Sequence, residues 1–229
     1  MANQKTYKPE QLLVLDIETV PQFASFEAVP EYWKTLWADK ISKTMPENFS
    51  LPEMYLQRAG VQAEFGKIIC ISTGFFYKDT AGRRCFRVNS YTGDDEVHIL
   101  KSFVHNAAAF SRKHPDFSFA GHNIREFDIP FICRRCMING LQVPGFLQFS
   151  GLKPWEINLV DTMQLWKFGD YKNYTSLQLL AACMGIPTPK QDMDGGKVKD
   201  VYYQERDLEK ISTYCAGDVV ATAQVLLRF

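Results

Sequence analysis

Apolar and polar positions follow two different periods along this chain. Leu12 to Asp16 is a short, nearly unbroken apolar run of the kind that forms a central strand buried on both faces. Residues 67–77 and 85–91 are rich in β-branched and aromatic side chains, and the turn signal around Gly82 between them predicts a hairpin. From Asp94 the period lengthens: Val97, Leu100, Phe103, Val104 and Ala107 recur at helical spacing, so a helix is expected from an Asp94 N-cap to about His114. Phe117 to Gly121 reads as another strand, followed by a helix from about Asp128 to Ile138 that stops near Asn139-Gly140. A short strand near 158–160 and two helices, over 176–184 and from Asp207 to the C-terminus, complete the order β-β-β-α-β-α-β-α-α.

Two stretches fall outside this order and read as insertions in one domain spanning 1–229, at about 21–66 and 187–203. The first holds Phe23, Phe26, Tyr32, Trp33, Trp37, Phe49 and Tyr55, too many aromatics for a solvated linker, so helices packed beside the sheet are expected. The second carries Gly195-Gly196 with Lys190, Lys197 and Lys199, and Lys210 just beyond, and reads as a mobile basic loop. A hydrophobic fraction of 46% and an aromatic fraction of 14% supply a core and exclude a disordered chain. Because 26 lysines and arginines balance 26 aspartates and glutamates, no overall positive field draws a long duplex, and nucleic acid would have to be gripped locally. No apolar run reaches the roughly 18 residues that span a bilayer, and the six cysteines lie mostly in apolar segments, as reduced thiols do. A cytoplasmic protein is therefore expected. Cys133 and Cys136 form a C-x-x-C without the second half-site of a structural zinc centre, which assigns them to packing.

The chemistry rests on acidic residues in particular settings. Asp16 and Glu18 follow the first apolar run with one residue between them, and a strand's period of two puts both carboxylates on one face, where they could hold a metal. The D-x-E pattern alone is weak: 14 aspartates and 12 glutamates give about 0.7 chance matches in such a chain. Another match, Asp94-Asp95-Glu96, starts a helix and is explained by capping and the helix dipole. Asp128 sits at the head of a helix, where an N-cap would explain it, and capping is compatible with a weakly ligating carboxylate. Asp218 and Tyr214 share a helix face beside the apolar row Leu208, Ile211, Cys215, Val219 and Leu226, so the carboxylate needs a metal or a basic group to meet it. Tyr91 with Asp95 and Tyr203 with Asp207 repeat the Y-x-x-x-D spacing, but at a strand end and at a helix start.

Taken in order, D-x-E, N-x-x-x-F-D and Y-x-x-x-D, in the wording LVLDIETVP, GHNIREFDIPFI and YCAGDVVAT, resemble the motifs of the DEDDy 3′-5′ exonucleases of the DnaQ-like superfamily. Within these, the chain looks most like the proofreading exonuclease of family B DNA polymerases and a bacterial group of predicted free-standing exonucleases related to it. The resemblance extends from Leu12 to Arg228, with Asp161-Thr162-Met163 and the helix ending at Gly185 also fitting. It implies an α/β, ribonuclease-H-like fold: a five-stranded mixed sheet, its first three strands antiparallel, with helices on both faces. It also implies two divalent ions, magnesium or manganese, about 4 Å apart in such enzymes. Asp16, Glu18 and Asp218 would hold one, Asp16 and Asp128 the other, and Tyr214 would orient or deprotonate the attacking water. Thr19, Asn123 and Phe127 carry over as substrate-binding positions, although Phe127 also reads as core. Thr213 stands where the DEDDh relatives carry histidine.

Other residues are read individually. His122 is expected to be hydrogen-bonded beside a strand end. Arg125, Arg134, Arg135 and Lys197 are candidate phosphate contacts. The expected substrate is nucleic acid with a free 3′ end, single strands preferred, cut to nucleoside monophosphates; DNA and RNA stay open, as no 2′-hydroxyl contact is readable. The chain ends at Phe229, shortly after Asp218, so a proofreading role would call on a separate polymerase or repair protein. Two rivals remain, an endonuclease of the ribonuclease H type and a nucleic-acid-binding module without chemistry. The first does not call for Tyr214, and the second would be expected to lack a carboxylate of the set.

Overall fold

At the centre lies β1 (Leu12–Pro21), longer than the apolar run alone predicts, because Asp16, Glu18 and Thr19 continue in extended conformation among the buried Leu15, Ile17 and Val20. The computed structural model describes residues 7–153, 156–170, 172–187 and 193–229. On one side β1 pairs antiparallel with β2 (Gly66–Lys78), which pairs antiparallel with β3 (Arg84–Thr92). On the other it pairs parallel with β4 (Ser118–Gly121), and β4 pairs parallel with β5 (Leu159–Asp161). The five-stranded mixed sheet has the order β3-β2-β1-β4-β5, the ribonuclease-H-like arrangement that the resemblance implies. Two departures from regularity set the second half of β1 apart. Pairing of β1 with β4 covers only Leu12–Val14, so that half has no strand on the β4 side. Its register with β2 shifts between Glu18 and Thr19, a bulge of the kind that re-aims side chains beside active sites.

The aromatic insertion folds into α1 (Glu31–Ile41) and α2 (Leu51–Arg58), as the count of aromatics predicts. Trp37, Tyr55 and Phe65 form its own small core through edge-to-face contacts. Ser50 and Glu53 close a capping box at the start of α2.

Alternation along β1 divides the remaining helices between two faces. Leu13, Leu15 and Ile17 pack under α3 (Glu96–Lys113) and α4 (Asp128–Ile138), with Phe103, Phe119 and Ile132. The cap of α3 is Asp95, whose carboxylate accepts from the His98 amide, and not Asp94; Asp94 instead accepts a 2.6 Å hydrogen bond from Tyr202. Beyond β5 comes a helix that the sequence pattern does not reveal, α5 (Thr162–Lys167), capped by Asp161, and then α6 (Leu177–Cys183), capped by Ser176. Residues 193–205 correct the expectation of a mobile loop. Here α7 (Val198–Asp200) widens into a π-helical turn over Val201–Glu205, and Met193, Val198, Val201 and Tyr202 are buried against Val20 and Ile69. Lys190, also assigned to that loop, lies outside the described residues.

The last helix, α8 (Leu208–Leu226), lies across the opposite face of the sheet, where Val219 and Ala223 meet Leu12 and Val14. Gly74 of β2 permits this approach: a Cβ there would fall 2.4 Å from the Phe86 ring and 2.9 Å from Val219 Cγ1. Among the described residues no helix is long and apolar enough to cross a membrane.

Candidate active site

The even-numbered residues of β1 face α8, so Asp16 and Glu18 continue the row begun by Leu12 and Val14 and run under the helix carrying Tyr214, Cys215 and Asp218. A carboxylate oxygen of Asp16, one of Glu18 and the Cys215 sulfur all lie within 4.8 Å of one another. Asp128 arrives from the other side. It is the first residue of α4, and its Oδ1 accepts a 3.1 Å hydrogen bond from the Ile17 amide, on the half of β1 that β4 leaves unpaired. This corrects the capping interpretation, because the cap position is Phe127 and the Asp128 side chain points away to β1.

Four carboxylates thus share one small volume, and their proton affinities show the strain. Burial, then Glu18, Asp128 and Asp218, push the Asp16 carboxyl well above its ordinary range. Glu18 is raised by burial, then by Asp218. Asp128 is pushed up to about 7, chiefly by burial, although hydrogen bonds from its own amide and that of Ile17 work the other way. Asp218 is pushed up to about 6 by burial, opposed by a hydrogen bond from Tyr214. Among the described residues, no ion pair to lysine, arginine or histidine engages any of the four. A cluster this acidic and this buried fits divalent cations with oxygen ligands.

Tyr214 and Asp218 are hydrogen-bonded one turn apart on α8, and burial followed by the charge of Asp218 raises the phenol far above its usual range. At neutral pH the phenol is therefore protonated and donates to the carboxylate.

The loop from His122 to Phe127 carries the second motif, and its support is Asp161. The Asp161 Oδ1 accepts from the Asn123 amide at 3.0 Å and its Oδ2 from the Arg125 amide at 3.1 Å, while the same residue caps α5. Asn123 adopts a left-handed φ of 60°, and its Oδ1 is buried without a hydrogen-bond partner among the described residues. His122 is fully engaged: Nδ1 lies 2.9 Å from Thr162 Oγ1 and Nε2 lies 2.8 Å from the Thr175 carbonyl oxygen, in line with the structural role expected of it. Phe127 is half-buried against Phe131, and Thr19 is half-buried at the bulge.

Two residues escape sequence reasoning. Cys215 reads as a small hydrophobe, yet its thiol donates to Asp16 Oδ2 at 3.3 Å; only its position next to Tyr214 could have flagged it. Asp161 enters only with Thr162 and Met163 as a fit to the resemblance and is given no role, although its setting before Thr162-Met163 is that of an N-cap. Arg135 leaves the set of phosphate contacts altogether. It is buried, its Nη2 lies 2.6 Å from Glu96 Oε2, and its Nη1 donates to the Ala63 carbonyl. Glu96 in turn accepts from the Ile68 amide, which pins α3 and α4 to the start of β2. Cys133 donates to the Leu147 carbonyl oxygen.

Comparison with known proteins places this arrangement in context. The structure of the family B DNA polymerase from the hyperthermophilic archaeon Pyrobaculum calidifontis is similar with a TM-score of 0.53 and 17% identity, over 95% of this chain and 24% of the polymerase. The chain thus spans about a quarter of that protein, and the likeness is one of fold. Comparison with curated proteins finds no match. Residues 61–229, most of the chain, match the family described as "Predicted 3'-5' exonuclease related to the exonuclease domain of PolB". The matched region takes in Asp128, Tyr214 and Asp218, while Asp16 and Glu18 precede it and join them through the pairing of β1 with β2. The chain therefore belongs to this family of predicted 3′-5′ exonucleases related to the exonuclease domain of PolB.

Proposed function

We propose that the chain is a DEDDy-type 3′-5′ exonuclease that removes nucleoside monophosphates from single-stranded DNA or RNA by two-metal hydrolysis. The observation that carries this reading is the convergence of the buried Glu18 and Asp128 with the half-buried Asp16 and Asp218, without a basic partner among the described residues, beside a protonated tyrosine. Asp16, Glu18 and Asp218 would hold one magnesium or manganese ion, and Asp16 with Asp128 the second. Bound there, the ions would ease deprotonation of the attacking water and offset charge on the leaving 3′ oxygen.

The residues divide the remaining work. The Ile17 amide fixes one Asp128 oxygen, so α4 and β1 hold that carboxylate at a set distance from Asp16. Tyr214, as a donor already hydrogen-bonded to Asp218, suits orientation of the attacking water better than deprotonation of it. The water oxygen bonds to phosphorus, the bond to the 3′ oxygen of the preceding nucleotide breaks, the proton the water gives up passes to solvent and one returns to that 3′ oxygen, and that nucleotide becomes the new 3′ end. Asn123, held by Asp161 with an unpartnered oxygen, and Thr19 at the bulge are the positions for contact with the terminal nucleotide. A neutral chain offers little to offset the cost of opening a duplex, which favours single-stranded or frayed ends.

A strand labelled at its 5′ end and incubated with magnesium tests the reading. A descending ladder that a blocked 3′ terminus suppresses is expected. Internal fragments that persist despite the block would favour the endonuclease rival, and an unchanged strand the binding module.

A further inference from the structure

Beside the carboxylates lies a surface that the hydrolytic chemistry leaves unused. Val14, Ala120 and Val160 share one row of the sheet, so Asp161, where α5 begins, is level with the residue before Asp16. Two strand spacings, about 10 Å, separate them. Helix α5 also lies on the carboxylates' face of the sheet, because Leu165 packs with Val14, Ala120 and Val219. The chain beyond it returns to the second motif: His122 Nε2 lies 2.8 Å from the Thr175 carbonyl oxygen, and Gln164 of α5 donates to Glu126. Residues 166–170 and 172–175 therefore form a rim beside the loop that carries Asn123.

This rim is unlike a solvated turn. Phe168 is 83% exposed, Tyr174 71% and Trp166 37%, three aromatic rings in one short stretch. Phe168 ends α5 with a left-handed φ of 44°, a conformation disfavoured for a bulky residue, and its exposed ring gains no packing in return. Lys167 and the exposed Lys172 stand among the rings and form no ion pair among the described residues. The acid of the stretch, Asp170, is engaged in holding the turn, where it accepts from the Lys172 amide and from the Asn173 side chain. Rings interleaved with cations suit a single strand, whose bases stack on aromatic faces in any sequence while its phosphates meet ammonium groups. Tyr32 and Trp33 on α1 are also exposed but lack the second part: Trp33 packs edge-on against Phe65, and Lys34 and Lys40 are paired with Glu31 and Glu64.

We propose that this rim is the track for the single strand upstream of the scissile bond, its bases stacking on Trp166, Phe168 and Tyr174 and its phosphates meeting Lys167 and Lys172. The inference rests on the exonuclease reading and adds where the strand lies and why its grip tolerates any sequence. A strand too short to leave the carboxylates gains nothing from the rim, whereas one of several nucleotides does.

The test uses the full chain in excess chelator, so that binding is read without cleavage. Oligothymidylates of four and twelve nucleotides, labelled with fluorescein at the 5′ end, are titrated by anisotropy over a range of salt. The longer strand should bind the parent about ten-fold more tightly or better. Phe168→Asn, whose side chain tolerates the left-handed backbone, should weaken the longer strand by about 5- to 150-fold while the melting temperature holds or rises. Phe168→Trp should keep the affinity. Changing Lys167 and Lys172 together to glutamine should lower the log–log salt slope by about 1.4. A strand carrying 5-iodouracil should crosslink to these rings on illumination, as located by mass spectrometry. The proposal is overturned if the longer strand binds no better than the shorter, if Phe168→Asn binds it as the parent does, or if crosslinks fall only elsewhere; unchanged binding would leave the rings to a protein partner. Any of these with the 5′-labelled ladder still forming removes the track and leaves the exonuclease reading. The expected binding without a ladder would support the track and remove that reading.

Discussion

Replacing Asp218 by asparagine should abolish cleavage and, without metal, make the protein more stable. Asp218 is pushed from an ordinary 3.8 to about 6, first by burial. At about 1.4 kcal/mol per pKa unit, ionising it in the folded protein costs roughly 3 kcal/mol, reduced to about 1–2 kcal/mol because the side chain is partly exposed. Its charge also contributes to the raised values of Asp16 and Glu18, so its removal relieves them in the same direction. The folded value lies above the unfolded one. The penalty is therefore absent below about pH 4 and complete above about pH 6, and the wild-type protein loses stability across that window relative to the variant. For a chain of this size, about 1 kcal/mol corresponds to about 2–4 °C. Melting in excess chelator at pH 8 should therefore place Asp218→Asn about 2–8 °C above the parent, with the gain fading towards pH 4. Magnesium should raise the parent's melting temperature more than the variant's. A variant that melts below the parent in chelator at pH 8, or a gain that is the same at both pH values, would refute the reasoning.

Three further outcomes are expected from the same geometry. Tyr214→Phe should leave calorimetric metal titration nearly unchanged but slow single-turnover cleavage by about 10²- to 10⁴-fold; cleavage at the parent rate would make the tyrosine merely structural. Arg135→Met should destabilise the fold by about 3–5 kcal/mol in chemical denaturation, because it leaves Glu96 buried without its ion pair; a raised KM for oligonucleotides at unchanged stability would restore the phosphate-contact reading. The double change Cys133→Ser, Cys136→Ser should preserve metal-dependent cleavage, and a zinc-dependent loss would contradict their assignment to packing.

What the sequence discloses and what it conceals have separate physical causes. The order of elements along the chain is legible because strands buried on both faces and helices with one apolar stripe leave different periodicities, and the strands fall within a few residues of expectation save the far end of β1, whereas the make-up of the sheet comes from the resemblance. Asp16 and Glu18 are legible as a pair because a strand's period puts them on one face. Their place within β1 is not, since polar residues in a buried strand read locally as the end of it. The bulge at Glu18 depends on pairing with β2, a contact no single segment encodes. Asp128 looks like a cap because its helix begins there; only the early parting of β4 from β1 makes the Ile17 amide the better partner. Arg135 and Cys215 mislead in opposite directions. A charged residue is taken for surface until Glu96 is seen beside it, and a thiol in an apolar row is taken for core until Asp16 is seen beneath it. The glycines and lysines at 195–199 suggest a loose loop, yet Val198, Val201 and Tyr202 carry enough apolar surface to bury that segment against Val20 and Ile69.

The carboxylate cluster is the centre of the proposed chemistry, and anomalous diffraction from crystals of the full chain grown with manganese and a nucleoside monophosphate would examine it. Two manganese peaks about 4 Å apart are predicted, one against Asp16, Glu18 and Asp218 and the other against Asp16 and Asp128. The second peak should be lost in Asp128→Asn. Manganese bound elsewhere, or no manganese at these four residues while the crystals still degrade a single strand, would contradict the central claim.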